Sequence, residues 1–446
     1  MAFDLIIRNG TVVRETEETA DVAIEGESIV QIAPSIVGAA KQEIDAKGLH
    51  VFPATIDPHV HFNDPGRSEW EGIATGSAAL AAGGGACFFD MPLNSTPSTL
   101  DGLSFDAKLA IAQSQSHTDF GLWGGLTPGN LDKLEELAQR GVVGLKAFMC
   151  DSGIDDFARA DDWTLFRGML LARQLGLIVA VHAENQDITA GLQELARSKG
   201  LSGVRDYLKS RPQVAEIEAI SRAITIAGET GCRLHIVHVS TSRGIELIAR
   251  ARAEGVDVTC ETCPHYLVLT ADDAIGLGAL AKCAPPLRSP EDRNALWDHL
   301  AAGRIDFVAS DHSPAPMEMK TAPNFFDVWG GVAGVQSTLA ALTTQSHIVN
   351  PPAIARVTSG NIARRFGIER KGRLEPGFDA DITLVDLAAK FELKRDMLLD
   401  RHKLSPFVGL TLRGRVKQTL LRGKTICQDG KVTSPPAGKL VRPAKV

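Results

Sequence analysis

The sequence predicts an α/β protein: a (β/α)8 barrel of the TIM type, joined to a small β-sandwich domain that both ends of the chain build together. Two observations support this prediction. Between Pro53 and Lys371, apolar runs of strand length alternate with amphipathic helical patterns, and eight such strands can be identified. Outside that region, short strands follow one another with only tight turns between them. A doubly wound open sheet is the alternative arrangement of the central region.

The two ends of the chain carry the same strand-and-turn pattern. Before the central region, short alternating runs flank a turn at Asn9-Gly10, and similar runs return after it, around Arg422-Gly423. Both ends therefore look like parts of one small domain with a larger body inserted between them. We expect residues 1–52 and 372–446 to form this domain and residues 53–371 to form the barrel.

The predicted strands of the central region share a second property, since nearly all of them end in a polar or ionisable residue. The C-terminal ends of all eight strands of a barrel meet at one face, where the active sites of such barrels lie. We therefore expect the side chains at these ends to converge. The predicted strands end at or near His61, Asp90, Gly124, Phe148, His182, His238, His265 and Asp311.

Helix boundary signals lie between several of these strands. Ser289 is followed by Pro290 and, three positions after the serine, by Asp292, a pattern typical of a capped helix start with proline in the first turn. Gly231 and Gly255 are expected to end helices before the next strand begins. These signals support the alternation of strands and helices.

The composition argues against several classes of partner. The formal net charge is −7 and no strongly basic segment is present, so neither a nucleic acid nor an anionic membrane surface is an expected partner. The seven cysteines are scattered and odd in number, which favours a reducing compartment over a disulfide framework. No signal peptide is recognised, and the most apolar window, 76–89, is too short and glycine-rich to span a bilayer. We expect a soluble cytoplasmic protein.

His59 and His61 are the first candidates for a metal site. They lie two positions apart at the end of a predicted strand, so their side chains point to the same side and can bind one ion. Either histidine alone would more often be an ordinary hydrogen-bonded residue. Other strand ends, however, supply four further candidate ligands: Lys146, His182, His238 and Asp311. His235, three positions before His238, is expected to face the helices and is not included.

Lys146 lies among apolar residues in a predicted strand. Burying its charged amine is costly, so this lysine should be paired, neutral or modified. Burial lowers the pKa of an amine, and a neutral amine can add carbon dioxide to form a carbamate, an anion able to bridge two cations. An ion pair with an acidic residue of the barrel is the alternative. The four histidines expected nearby favour the carbamate.

Four imidazoles, a carbamate and a carboxylate are ligands that suit two zinc ions, with manganese, cobalt or nickel as substitutes. The predicted ligands are His59, His61, Lys146 and Asp311 for one ion, and Lys146, His182 and His238 for the other. Two such ions can share a hydroxide at neutral pH. Asp311 can accept the proton of the attacking water and pass it to a leaving nitrogen. The set therefore predicts hydrolysis of a carbonyl–nitrogen bond without a covalent enzyme intermediate.

Further motifs distinguish the chain. They are Asp64-Pro65-Gly66-Arg67, Asp90-Met91-Pro92-Leu93-Asn94, Gly144-Leu145-Lys146, Cys263-Pro264-His265-Tyr266, Cys283-Ala284-Pro285-Pro286, Ser310-Asp311-His312-Ser313-Pro314, Trp329-Gly330-Gly331-Val332-Ala333-Gly334 and the segment 372–381. Together they resemble the cyclic amidohydrolases over essentially the whole chain. This resemblance implies a barrel with two metal ions and a carboxylated Lys146, formed with carbon dioxide, in a homotetramer.

Within that family, two features favour an uncharged cyclic ureide such as allantoin, which would be opened to allantoate. Dihydroorotases carry an arginine two positions after the second histidine of the pair to bind the substrate carboxylate, whereas this chain has Asn63 there. Dihydroorotases also have Met-Pro-Asn where Leu93 separates the proline from the asparagine in this chain. By analogy, the ring amides are expected to contact Asn94, Ser313 and backbone groups near Cys283.

Several alternatives stay open from the sequence. Hydantoinase or dihydropyrimidinase activity and dihydroorotase activity use the same metal ligands. A non-enzymatic relative would be expected to lack ligands, and all six are present here. A mononuclear hydrolase with an unmodified Lys146 is a further alternative, which a count of metal ions per chain decides.

Overall fold

The computed structural model describes residues 3–444. Its strands are β1 (Phe3–Val13), β2 (Glu17–Glu25), β3 (Ser28–Ala33), β4 (Ala40–Asp45), β5 (His50–Pro53), β6 (Thr55–Val60), β7 (Gly85–Asp90), β8 (Asp119–Leu122), β9 (Gly124–Gly125), β10 (Leu145–Phe148), β11 (Ile178–His182), β12 (Arg233–Ile236), β13 (Val258–Thr262), β14 (Phe307–Val308), β15 (Ile382–Glu392), β16 (Thr411–Leu421), β17 (Lys424–Gln428) and β18 (Lys431–Val432). Its helices are α1 (Ile73–Ala82), α2 (Gly102–Gln115), α3 (Leu134–Arg140), α4 (Asp162–Gln174), α5 (Gln186–Ser198), α6 (Val204–Ser210), α7 (Gln213–Thr230), α8 (Ser242–Ala253), α9 (Pro264–Val268), α10 (Ala271–Leu277), α11 (Pro290–Ala301), α12 (Thr338–Thr344), α13 (Pro351–Ala355) and α14 (Asn361–Phe366).

The two ends of the chain form one nine-stranded sheet. Its order is β18-β17-β16-β15-β5-β1-β2-β3, with β4 also paired to β1. The pairing that joins the two ends is antiparallel, between β5 and β15. The expected β domain of both termini is thus present, while the boundaries 1–52 and 372–446 stay a prediction.

The central region is a closed barrel of parallel strands. Strands β8 and β9 are separated only by Trp123 and act as one strand, which leaves eight strands from β6 to β14. The amide of Val143 donates to the carbonyl of Leu122 at 2.9 Å, which joins this strand to the next one. A parallel bridge between Val60 and His312 closes the ring. The barrel prediction is confirmed, and the open sheet is excluded.

Several strands end earlier than the sequence predicted. Strand β12 stops at Ile236, two residues before His238, and β14 stops at Val308, three residues before Asp311. Both later residues have positive φ angles, 39° for His238 and 45° for Asp311. Few residues other than glycine adopt this left-handed region, and such residues cluster at functional sites. The two side chains are therefore directed by loop conformation and not by the pleat of a strand.

The predicted helix boundaries are present. Helix α11 begins at Pro290, and the Ser289 hydroxyl accepts a hydrogen bond from the amide of Asp292 at 3.2 Å. Gly231 follows α7 in the left-handed conformation. Gly255, also with positive φ, lies two residues beyond the end of α8. Among residues 3–444, no helix is long and apolar enough to cross a membrane.

A buried ionic cluster connects the barrel to the terminal sheet. The Lys371 amine lies 2.8 Å from a carboxylate oxygen of Asp119 at the start of β8, and 2.6 Å and 3.1 Å from those of Asp381 and Asp379. Arg422 pairs with Asp119 from the sheet side. The C-terminal segment adds a parallel bridge between Leu440 and Phe120 in the same area. Oppositely charged side chains from the two domains thus form ion pairs at a buried contact between the domains.

Replacement of Lys371 by methionine should remove the cation that pairs with the carboxylates of Asp119, Asp379 and Asp381. We expect the free energy of unfolding to fall by about 3–5 kcal/mol, because removing one partner of a buried ion pair leaves an uncompensated charge. Chemical denaturation measures the loss. Lys41→Met, which removes an exposed ion pair with Asp4, is the control and should cost much less. Equal losses in the two variants would contradict this assignment.

Candidate metal centre

The first group of predicted ligands comes together at the C-terminal face of the barrel. His59 and His61 extend from the end of β6, and each directs its Nε2 atom at Asp311 Oδ1, at 3.2 Å and 3.4 Å. The donor atoms of these three residues all lie within 4.8 Å of one another, as the ligands of one ion would. The barrel closure between β6 and the segment after β14 produces this proximity.

The second group lies beside the first. His182 Nδ1 is 3.0 Å from His238 Nε2, and the rings of His59 and His238 are 5.5 Å apart between centroids. Burial lowers the pKa of His59 and His238 well below the usual value, and the nearby Lys146 contributes in the same direction. Both imidazoles are therefore neutral, which is the form that binds a metal.

Lys146 lies on β10 beneath these histidines and is fully buried. Its amine makes no hydrogen bond within residues 3–444, and no acidic side chain of that range lies within ion-pair distance. The alternative prediction, an ordinary ion pair within the barrel, therefore has no partner residue there. Burial lowers the pKa of Lys146 to about 8, so a neutral amine is accessible near neutral pH.

Three acidic residues that the sequence analysis did not select support the candidate ligands. Glu261 on β13 contacts His59 Nδ1 at 2.5 Å, and burial raises the pKa of Glu261 to about 8. Glu184 contacts His182 Nε2 at 2.8 Å and pairs with Arg211, and despite burial this pairing lowers the pKa of Glu184 to about 2. Carboxylates that accept a hydrogen bond from the second ring nitrogen orient metal-binding histidines.

The third acid, Asp57, connects two strand ends. Its carboxylate accepts hydrogen bonds at 3.2 Å from the amides of Ser310 and His59. Burial raises the pKa of Asp57 to about 7. One side chain therefore fixes the position of His59 relative to the residue that precedes Asp311.

The predicted direction of His235 was wrong. His235 pairs in register with Ala180 and, through it, with Lys146, so all three side chains point into the barrel. Its Nε2 lies 3.1 Å from Glu261, and its ring packs on Phe307 with 5.0 Å between the centroids. The period-two argument failed because the strand ends before His238, whose left-handed backbone reverses the alternation.

The four candidate histidines and Asp311 line one cavity of about 680 Å³, a size typical of small-molecule sites, whereas Lys146 is buried behind its lining. The three predicted substrate contacts also line it. Asn94 Nδ2 lies 3.5 Å from the Ser313 hydroxyl, and the Cys283 carbonyl accepts a hydrogen bond from Tyr207 at 2.9 Å. Helix α5 and the segment 326–331 also contribute residues to the lining.

Asn63, the basis of the substrate argument, is buried and is not part of the cavity lining. Neither polar atom of its side chain has a hydrogen-bond partner within residues 3–444. Position 63 therefore carries no arginine that could bind a substrate carboxylate, and Asn63 itself does not line the cavity.

The chemistry of the donor set fits divalent metal ions. Neutral imidazoles and a carboxylate are ligands for zinc and related ions, and the buried amine of Lys146 has no hydrogen-bond partner within residues 3–444. No thiol is required. Cys150 does lie near His182 and Glu184, but the carboxylate of that group is already bound to Arg211.

Comparison with known proteins identifies the family of this fold and site. The model of the amidohydrolase family matches residues 50–426. An allantoinase of Rubrobacter xylanophilus is 54% identical over 100% of this chain and 98% of its own length. An allantoinase of Escherichia coli is 44% identical over 96% of this chain and 95% of its own length.

Solved structures give the same result. The L-hydantoinase of Arthrobacter aurescens is 33% identical, with a TM-score of 0.96 over 99% of this chain and 100% of the other. The dihydropyrimidinase of Brevibacillus agri is 30% identical, with a TM-score of 0.90 over 99% of this chain and 98% of the other. This chain therefore belongs to the amidohydrolase family.

Proposed function

We propose that this protein hydrolyses the ring amide of allantoin to give allantoate. The observation that carries the proposal is a cavity of small-molecule size lined by four imidazoles and one carboxylate, with the unpaired buried amine of Lys146 on a neighbouring strand. The allantoinases that resemble the chain over nearly its whole length support this choice of substrate.

Two divalent metal ions, zinc in the first place, are the proposed cofactors, with manganese, cobalt or nickel as substitutes. His59, His61 and Asp311 would hold one ion, and His182 and His238 the other. Lys146 would bridge them after its neutral amine has bonded to carbon dioxide. When bound, the ions supply a hydroxide at neutral pH and polarise the amide carbonyl.

The side chains of the site perform the remaining steps. Asp311 is partly open to the cavity, so it can accept the proton released when water adds to the carbonyl carbon. It then returns this proton to the ring nitrogen as the carbon–nitrogen bond breaks. Asn94, Ser313 and the backbone at Cys283 would hold the ring so that the reacting carbonyl faces the ligands.

Hydantoinase activity is the second candidate, because the solved structures with the same fold are hydantoinases and dihydropyrimidinases. Dihydroorotase activity has less support, since no arginine occupies position 63. We further propose a homotetramer in a reducing cytoplasm. The seven cysteines are all buried and free, which suits that compartment.

A substrate panel tests the proposed activity. Metal-loaded protein should open allantoin with a higher kcat/KM than hydantoin, dihydrouracil or dihydroorotate, because the uncharged ureide needs no arginine to neutralise it. Ring opening can be followed for all four compounds under the same conditions. A higher kcat/KM for hydantoin would establish the second candidate, and a higher value for dihydroorotate would refute the argument from Asn63.

Lys146→Ala removes the proposed bridge between the two metal ions. We expect loss of bound metal and a fall in turnover of about 1,000-fold or more, because metal-ion catalysis is worth several kcal/mol. Elemental analysis counts metal ions per chain, and mass spectrometry of the native wild type should show the added mass of one carbon dioxide. Lys199→Ala, on the exposed end of the helix α5 region, is the matched control. Full metal content and turnover in Lys146→Ala would contradict the assignment.

Glu261→Met removes the carboxylate that contacts His59 while keeping the side-chain volume. We expect metal affinity to fall by about 10- to 100-fold, as for other carboxylates that support metal-binding histidines. Glu261→Gln keeps a hydrogen-bond acceptor but not the charge, so its metal affinity should lie between those of the wild type and Glu261→Met. Metal affinity can be measured by competition with a chelator, with the exposed Glu254→Met as control. A folded Glu261→Met protein with wild-type affinity would remove Glu261 from the site.

A further inference from the structure

The segment 325–331 supplies one wall of the cavity through residues 326–331, and apart from a short 3-10 helix at Phe325–Asp327 its backbone is irregular. An irregular backbone must satisfy its buried carbonyl groups by other means. In this segment two buried lysines do so. Lys282 binds the carbonyls of residues 325, 326 and 328, and Lys320 binds those of residues 329 and 331.

Lys282 matches its acceptors one for one. Its amine lies 2.6 Å, 3.2 Å and 2.5 Å from the carbonyl oxygens of Phe325, Phe326 and Val328. An ammonium group has three N–H donors, so each carbonyl receives one. The neutral amine has only two, and without its charge they are weaker. The amine also lies 4.6 Å from the ring centroid of Tyr207, a cation–π distance.

The wall is coupled to the candidate substrate contacts through Gly331. The Gly331 amide donates to the carbonyl of Lys282 at 2.7 Å. A Cβ on Gly331 would lie 2.1 Å from the Ser313 carbonyl oxygen, so only glycine allows this approach. The Ser313 amide in turn donates to Val332 at 2.9 Å. Lys282 also immediately precedes Cys283. A displacement of the wall therefore reaches both Ser313 and Cys283.

We propose that Lys282 is a positioning residue whose ammonium group holds the 325–331 wall against the bound substrate, and that loss of its proton releases the wall. The inference rests on the proposed function for its substrate and on the contacts above for its geometry. It concerns substrate binding and not the chemical step, since Lys282 contacts neither the candidate ligands nor their supporting acids.

The charges around Lys282 favour a proton loss near neutral pH. Burial lowers the pKa of Lys282 to about 7, and the cations Arg211 and Lys320 act in the same direction. Arg197 on α5 adds a smaller effect, while Asp327 opposes it and is itself paired with Arg197 at 2.6 Å. Tyr207 on α6 stays neutral because burial raises its pKa. The ammonium form is therefore present below about pH 7 and declines above it.

Two measurements on the metal-loaded full-length protein test the proposal. In the wild type, KM for allantoin should rise several-fold between pH 6 and pH 8.5, and amide exchange of 325–331, corrected for intrinsic rates, should increase over the same range. Lys282→Arg keeps its charge and should reduce the rise in KM and remove the pH dependence of exchange at 325–328. Residues 329–331 stay pH-dependent in this variant, because Lys320 binds two of their carbonyls and burial lowers its pKa to about 8. Lys282→Met should raise KM about 10-fold at pH 6 with kcat within about twofold, as expected for the loss of charged hydrogen bonds. Lys209→Met, an exposed lysine on α6, is the matched control.

The exchange measurement does not need a substrate and keeps the two proposals separable. If allantoin is not turned over but the exchange of 325–331 follows pH as described, the proposed function fails and the role of Lys282 stands. Corrected exchange that is the same at pH 6 and pH 8.5 in the wild type would overturn the role of Lys282, even if Lys282→Met does not fold. A pH dependence of exchange at 325–328 that persists in Lys282→Arg would overturn it as well.

Discussion

The contact that closes the barrel is the interaction on which the candidate site depends. Strand β6 meets the segment after β14 through the bridge between Val60 and His312, and the carboxylate of Asp57 binds the amide of Ser310 across the same seam. The candidate ligands from the first and the last strand thus face each other although about 250 residues separate them. An open sheet would leave them on opposite edges. Barrel closure and assembly of the donor set are therefore one structural event.

The regular strands explain which parts of this site the sequence could predict. His59, Lys146 and His182 lie within strands, so alternation and the common C-terminal face of a barrel predict their convergence. His238 and Asp311 were selected as candidates by residue type. Both have a left-handed backbone conformation in a loop, so strand periodicity cannot predict where their side chains point. The same loop conformation made the expected direction of His235 wrong.

The supporting acids were beyond sequence reasoning for a different reason. Glu261 is one acidic residue in an apolar strand, and such a residue signals a buried polar role without naming its partner. Its contact with His59 spans 202 positions in the chain and exists only once the barrel has closed. The same holds for Glu184 with Arg211, and for the lysines that bind the carbonyls of 325–331. Each buries charge at a cost in stability, which folded proteins accept where function requires fixed polar groups.

The shared sheet has a consequence for how the protein is made. Strand β5 leaves the ribosome early, but its antiparallel neighbour β15 follows only after more than three hundred further residues. Until then β5 has an unpaired edge, and so has the part of β8 that later meets Leu440. Exposed strand edges invite association with other chains. The nascent polypeptide therefore exposes unpaired strand edges through most of its synthesis. Binding of a chaperone should prevent aggregation most effectively before the chain leaves the ribosome.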